Sequence, residues 1–173
     1  MNIVIPTVPH TGTIFVTKLF ISKGYEQIAL KETPTQDKTL FVGHILNCGL
    51  THRALNLMKK YPAIIPLRHP YLVAESWKRR GKSVTDLVTA YKKIPRLFDP
   101  LQPYYLPLDV EDREDYLVNI EKGLNLNLSH DWPVVNSKEH TSELNWKEIE
   151  PEESIVELVN EIRPFLDRFY NRS

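Results

Sequence analysis

Three observations predict that this 173-residue chain forms one three-layer α/β domain with a mostly parallel sheet, covering residues 1–173. Strand-like segments alternate with segments of helical spacing, which is typical of parallel βαβ units. Several strand-like runs are uniformly apolar, as expected for strands buried on both faces. The composition, 42% hydrophobic and 25% charged, is typical of a folded protein, and the length suits a single core.

The first half of the chain predicts three strands and two helices. An apolar run over Ile3–Val8 predicts a strand that ends at Pro9, and helical spacing begins at Ile14. Gly24 is predicted to end this first helix, because glycine commonly follows a helix C-terminus. Strands are then predicted over 25–31 and 39–46, followed by a helix over 52–60 with Thr51 as its N-cap.

The second half continues the alternation. Residues 63–67 form a fully apolar run and predict a buried strand. A last helix is predicted over 152–170, which Pro164 should kink or split in two. The elements between them are a helix over 71–80, a helix from a Ser83 cap to 94, a strand over 104–108, a helix over 112–124 and an extended segment over 133–141.

Charge, cysteine and histidine content argue against several classes of function. Lysine plus arginine (22) equals aspartate plus glutamate (22), whereas nucleic-acid binders usually carry a basic excess. No apolar run approaches the roughly 20 residues of a membrane span. The single cysteine, Cys48, is predicted to be a small buried hydrophobe in a reducing, cytoplasmic compartment. The histidines without metal-ligand spacing are interpreted as surface or loop residues, and no metal is expected: His52, His69, His130 and His140.

The loop His10-Thr11-Gly12-Thr13 lies between the first strand and the first helix. The free N–H groups and positive dipole end of a helix point at such a loop, so this junction predicts an anion site. Glycine permits close approach of the backbone, and the threonines and histidine add donors. The alternative is an ordinary strand–turn–helix junction in which Thr11 or Thr13 caps the helix.

A second candidate anion site follows the strand over 63–67. Arg68 lies at the end of this strand, and Ser76 follows eight residues later in the next predicted helix. A guanidinium and a hydroxyl so placed can bind one phosphate. The alternative is a solvated arginine paired with Glu75 or another carboxylate. Ligands of parallel sheets bind beyond the carboxyl ends of the strands, so His10, His44 and Arg68 are predicted to converge there.

Both segments resemble motifs of the sulfotransferases. Pro9-His-Thr-Gly-Thr-Ile-Phe15 resembles their 5′-phosphosulfate loop, Pro-Lys-Ser-Gly-Thr-Thr-Trp. Arg68-His-Pro-Tyr-Leu-Val-Ala-Glu-Ser76 resembles their 3′-phosphate motif, Arg-Asn-Pro-Arg-Asp-Val-Ala-Val-Ser, with the same spacing. The resemblance implies a P-loop-type fold that binds 3′-phosphoadenosine 5′-phosphosulfate (PAPS). It also implies transfer of the sulfuryl group to a hydroxyl or amine of a small-molecule or glycan acceptor, with release of 3′-phosphoadenosine 5′-phosphate (PAP).

The resemblance also implies roles for individual residues. His44 matches the place of the catalytic base in many cytosolic members, with a packed histidine at a strand end as the alternative. His10 takes the position of the loop lysine and would help to stabilise charge on the leaving phosphate. The residues implied to bind PAPS are His10, Thr11, Gly12, Thr13 and Ile14 at the 5′ end, and Arg68 and Ser76 at the 3′-phosphate.

The chain departs from the family at two places. His10 replaces the loop lysine, and the C-terminal Arg-Lys-Gly-x-x-Gly segment is missing, for which the basic cluster at 79–82 is a partial substitute or simply a solvated helix end. Two alternatives therefore stay open: a catalytically inactive nucleotide-binding protein of the same fold, and a small P-loop nucleotide kinase. The acceptor is not identified; the aromatic residues that could line its pocket, or belong to the core, are Tyr104, Tyr105, Trp132 and Trp146.

Overall fold

The computed structural model describes residues 1–128 and 145–171, and within them the chain folds as a mixed α/β protein. Each of the five strands lies within a predicted strand segment. The predicted extended segment over 133–141 lies outside the described residues. The five strands are β1 (Ile3–Thr7), β2 (Glu26–Ala29), β3 (Thr39–His44), β4 (Ile64–Leu67) and β5 (Tyr104–Pro107).

The described strands all pair in parallel, as the alternation of strands and helices predicts. β3 lies between β1 and β2, and β4 pairs with β5. The two groups meet where Val4 and Ala63 form a parallel bridge, with the Val4 N–H donating to the Pro62 carbonyl at 2.9 Å. The spatial order is therefore β2-β3-β1-β4-β5, with β1 in the middle.

Helices cover both faces of this sheet, because successive residues of each strand point to opposite faces. Ile3 and Ile5 pack in one core with α1 and α5, whereas Val4 packs in a second core with the remaining helices. The helices are α1 (Thr13–Ile21), α2 (Cys48–Met58), α3 (Pro70–Arg79), α4 (Thr85–Lys93), α5 (Arg113–Leu124), α6 (Glu153–Glu161) and α7 (Arg163–Tyr170).

Two helix boundaries differ from those predicted. α2 begins one turn early, because the side chain of Asn47 accepts from the Leu50 N–H at 2.8 Å and caps the helix in place of Thr51. This shift places Cys48 in the first turn, where it is exposed rather than buried. α4 has Val84 as its N-cap in place of the predicted Ser83, and it continues as a π-helical turn over Ile94–Phe98. As predicted, the last helix is divided near Pro164, into α6 and α7.

No helix among the described residues is both long and apolar enough to cross a membrane.

Candidate anion-binding site

The candidate site lies at the carboxyl edge of the sheet, between β1 and β4. The chain leaves β1 into α1 on one face and leaves β4 into α3 on the other. Neighbouring strands whose connections diverge in this way leave a crevice at their carboxyl ends, which is where α/β sheets bind ligands. The His10 loop follows β1 and Arg68 follows β4, so both predicted motifs border this crevice.

The His10 loop has an unusual backbone. His10 has φ of 64° and Gly12 has φ of 94°, both in the left-handed region. That conformation is strained for a histidine and is accessible to glycine without cost. A Cβ on Gly12 would lie 2.2 Å from Cδ1 of Leu108, so a side chain there would also collide with the residue after β5.

The two threonines of the loop behave differently. The Thr11 side chain is fully buried and its hydroxyl donates to the Val8 carbonyl at 2.7 Å, so only its backbone faces the loop. The Thr13 hydroxyl is shielded from solvent, and no described residue bonds to it. Gly12 is the N-cap of α1, and no described side chain caps the helix. The alternative in which Thr11 or Thr13 caps the helix is therefore wrong, and the N-terminus of α1 has no side-chain cap among the described residues.

Residues of the second motif contact the first at His10. Nη1 of Arg68 donates to the His10 carbonyl at 3.3 Å, and Oγ of Ser76 lies 3.4 Å from Nδ1 of His10. Arg68 is 9% exposed, and the Tyr91 hydroxyl holds its carbonyl at 2.7 Å. Glu75, which the sequence offers as a partner for Arg68, lies 3.6 Å from Arg79.

His44 ends β3 beside this loop and is exposed rather than packed. Its Nδ1 lies 2.7 Å from Oγ1 of Thr7, and the same hydroxyl lies 3.3 Å from the Gly43 carbonyl. Both contacts are hydrogen bonds only when Thr7 donates to the carbonyl and His44 Nδ1–H donates to Thr7. In that arrangement the lone pair of His44 is on Nε2, to which no described residue bonds, as a general base requires.

The charges of described residues that act on the two histidines of the loop region are positive. Partial burial, followed by the charges of Arg80 and Lys82, lowers the pKa of His10 to about 4, with smaller effects of His44 and Arg68. Partial desolvation of its ring beside the loop, followed by the charge of Lys82, also lowers the pKa of His44. Both imidazoles are therefore neutral at pH 7, and the positive charge around them comes from arginine and lysine. Such charges favour an anion.

A second histidine cluster lies at the same edge and was missed by the sequence interpretation. His69 is 3% exposed, not a surface residue, and its ring stacks on Trp146 at 4.0 Å between centroids. Its backbone N–H donates to Asp109 at 2.6 Å, and the Tyr170 hydroxyl donates to the same carboxylate at 2.9 Å. Burial lowers the pKa of His69 to about 3. These polar groups are paired and the rings are packed, which indicates a structural role.

The aromatic residues considered for an acceptor pocket lie away from His44. Tyr104 and Tyr105 begin β5, at the opposite edge of the sheet, where they border a cleft of about 590 Å³ against α5 and α7. Trp146 packs on His69, and Trp132 lies outside the described residues, as do His130 and His140. Among the described residues, Tyr104, Tyr105 and Trp146 therefore do not lie beside His44.

The loop residues fit a bound phosphate group. The Thr13 hydroxyl, which no described residue bonds, offers a donor. Gly12 keeps the loop free of a side chain at the N-cap, and Arg68 supplies charge. Among the described residues, no group of three or more histidine, cysteine, aspartate or glutamate side chains is arranged to hold a metal ion.

The sequence matches no protein-family model, and a search of curated proteins gives no match.

Proposed function

We propose that this protein is a PAPS-dependent sulfotransferase with a P-loop-type fold, acting on a hydroxyl or amine of a small-molecule or glycan acceptor. The observation that carries the proposal is that two distant motifs meet at His10. Arg68 and Ser76 of the second motif both contact His10 of the first, although they are 58 and 66 positions from it along the chain. Each motif resembles a phosphate-binding segment of that family, and they lie on either side of the crevice between β1 and β4.

The chain's own residues would bind the two phosphate ends of the nucleotide. The N–H groups at the start of α1, from Thr13 and Ile14, would donate to the 5′ end together with the Thr13 hydroxyl. Arg68 and Ser76 would bind the 3′-phosphate, the first as a charged donor and the second as a neutral one. His10 is neutral, so it would contribute a hydrogen bond rather than a charge.

His44 would act as the general base. The acceptor oxygen or nitrogen would form a bond to the sulfur of the sulfuryl group of PAPS. The bond between that sulfur and the 5′-phosphate oxygen would break, and its electron pair would stay on the phosphate. The lone pair on His44 Nε2 would take the acceptor proton, and Thr7 would hold the ring through Nδ1. The lowered pKa of His44 keeps this nitrogen unprotonated at neutral pH.

A nucleotide-binding protein without transfer activity is the second candidate. One observation favours it: the pKa of about 4 makes His10 neutral, so the loop itself carries no cation where the family has lysine. A P-loop kinase has less support, because the loop has neither the lysine nor the Ser/Thr that follows it in the Gly-Lys-Ser/Thr motif.

Nucleotide binding is the first test. PAP, ADP, and ATP with Mg²⁺ are titrated into the protein by calorimetry, and PAP is expected to bind at least about tenfold more tightly than ADP, which lacks the 3′-phosphate. Ser76→Ala should weaken PAP binding by several-fold and leave ADP binding unchanged. Ser22→Ala is the matched control, since it removes an exposed hydroxyl at the far end of α1. Binding of ATP with Mg²⁺ alone would move the protein to the kinase class.

Transfer is then measured as PAP release from PAPS with aromatic alcohols, amines and sugars as acceptors. His44→Asn should lower turnover by about a hundredfold, the usual contribution of a general base, while PAP affinity is unchanged. Tight PAP binding without turnover on any acceptor would favour the inactive nucleotide-binding protein. Absence of binding to all three nucleotides would contradict the proposal.

A further inference from the structure

The turn that ends α3 fixes the position of Lys82. The Gly81 N–H donates to the Lys78 carbonyl at 2.8 Å, and the Lys82 N–H donates to the Trp77 carbonyl at 3.4 Å. Gly81 has φ of 66°. These are the two hydrogen bonds and the left-handed residue of a Schellman motif, which folds the residue after glycine back against the last turn of the helix.

Trp77 is the surface on which Lys82 rests. The Lys82 ammonium lies 4.8 Å from the centroid of the indole, within range of a cation–π interaction. Trp77 is 3% exposed, and its Nε1–H donates to the Ser83 carbonyl at 2.5 Å. This hydrogen bond fixes the ring relative to the turn.

The same indole contacts the candidate anion site. The ring of His10 lies 5.3 Å from that of Trp77, with their planes at 80°. Lys82 and His10 are thus neighbours of one rigid ring, although 72 positions separate them in the chain (82 − 10). The charge of Lys82 lowers the pKa of both His10 and His44, which agrees with a position between the loop and the end of β3.

We infer that Lys82 is an anion-binding residue of this site and supplies, from the turn after α3, the lysine charge that the His10 loop lacks. The inference rests on the proposed function, because the anion in question is the 5′ end of the nucleotide. A lysine can reach a phosphate from this turn because its side chain is long and exposed, and its ammonium offers three donors. Its backbone is held by the Schellman motif, which limits the entropy lost when the side chain binds.

The test uses Lys82→Gln, with Lys60→Gln as the matched control. Lys60 is exposed and follows α2 near the start of β4, at the opposite edge of the sheet. Both variants lose one exposed positive charge, so both are expected to fold. By calorimetry, Lys82→Gln should bind PAP about tenfold more weakly than the wild type, whereas Lys60→Gln should bind it as the wild type does. Adding His10→Lys to Lys82→Gln should restore most of the affinity, since it returns a lysine to the loop.

The histidine titrations give a second readout that needs no nucleotide. By NMR, Lys82→Gln should raise the pKa of His10 and His44, because a positive neighbour is removed, and Lys60→Gln should change neither. If the wild type binds PAP and Lys82→Gln binds it with the same affinity, the inference is overturned and the proposed function stays intact. Unchanged histidine pKa values would also overturn it. A wild type that binds no PAP would overturn the proposed function, and the nucleotide role of Lys82 with it.

Discussion

His10 and His69 both follow a buried strand at the carboxyl edge of the sheet, and both have a strongly lowered pKa, yet their surroundings differ. His69 is stacked and almost fully buried, with a carboxylate 2.6 Å from its N–H. His10 is half-buried in a left-handed conformation, and its contacts with Arg68 and Ser76 are long, at 3.3 and 3.4 Å. His69 is held by ring stacking and a short hydrogen bond, whereas the hydrogen bonds of His10 are long and weak.

The difference shows which region has bonding capacity left for a ligand. The loop region has a buried hydroxyl with no partner among the described residues, at Thr13, and the charges of Arg80 and Lys82 lower the pKa of its histidine. In the His69 cluster the carboxylate of Asp109 already accepts from two donors. A lowered histidine pKa alone therefore does not identify a functional site. A buried hydroxyl that no described residue bonds is the further observation that distinguishes the loop.

The largest effect is expected from removing the carboxylate of the saturated cluster. Asp109→Ala leaves the His69 N–H and the Tyr170 hydroxyl without their acceptor, in a buried environment. We expect the free energy of unfolding to fall by about 3 kcal/mol. Urea unfolding measures this, with Asp37→Ala, an exposed aspartate, as the control. Equal stability of the two variants would mean that the cluster is not structural.

A smaller effect is expected from pH. The pKa of His69 is about 3 in the folded protein and near 6.5 in the unfolded chain, so the unfolded state binds the proton first. The stability this provides is complete above pH 6.5 and is lost as the pH falls, by about 2 kcal/mol between pH 6.5 and 5. Asp109, whose pKa is raised by burial, contributes with the opposite sign at lower pH.

The control for this prediction is His69→Asn, which keeps an acceptor for the Tyr71 N–H at the start of α3 but cannot titrate. Urea unfolding at several pH values should give this variant a flatter dependence than the wild type, because the contribution of Asp109 is common to both. The same dependence in both proteins would contradict the burial of a neutral His69. His10→Asn should flatten the curve less, since His10 is only half-buried.

The sequence was sufficient for features that depend on local patterns. The strand-like segments located the five strands, Pro164 predicted the division between α6 and α7, and Gly24 predicted the end of α1. It was wrong where two local signals competed. Asn47 and Thr51 are both good N-caps, and the choice of Asn47 started α2 early and exposed Cys48.

The sequence was insufficient for features that depend on distant residues. The burial of His69 depends on Asp109 and Tyr170, and Asp109 is 40 residues from His69 along the chain. The neighbourhood of Lys82 and His10 depends on a common contact with Trp77. No local pattern contains such pairs, because the order of the strands and the angles of the helices bring them together. The basic cluster at 79–82 is visible in the sequence, but its distance from the loop cannot be predicted from it.

The smallest effect, and the most direct comparison of loop with scaffold, comes from two glycines. Gly12 and Gly24 have similar φ values, 94° and 83°, so alanine at either position has similar backbone strain, of about 1 kcal/mol. A Cβ at Gly24 meets nothing within 4 Å, whereas one at Gly12 lies 2.2 Å from Cδ1 of Leu108. Gly12→Ala should therefore cost about 1 kcal/mol more than Gly24→Ala in urea unfolding.

The same pair of variants tests the loop as a binding site. Because Leu108 or the loop must move in Gly12→Ala, the N–H groups at the start of α1 shift, and only this variant should weaken PAP binding. Equal PAP affinity of the two variants would show that the nucleotide does not depend on the conformation of this loop, and the site would have to be sought elsewhere along the edge of the sheet.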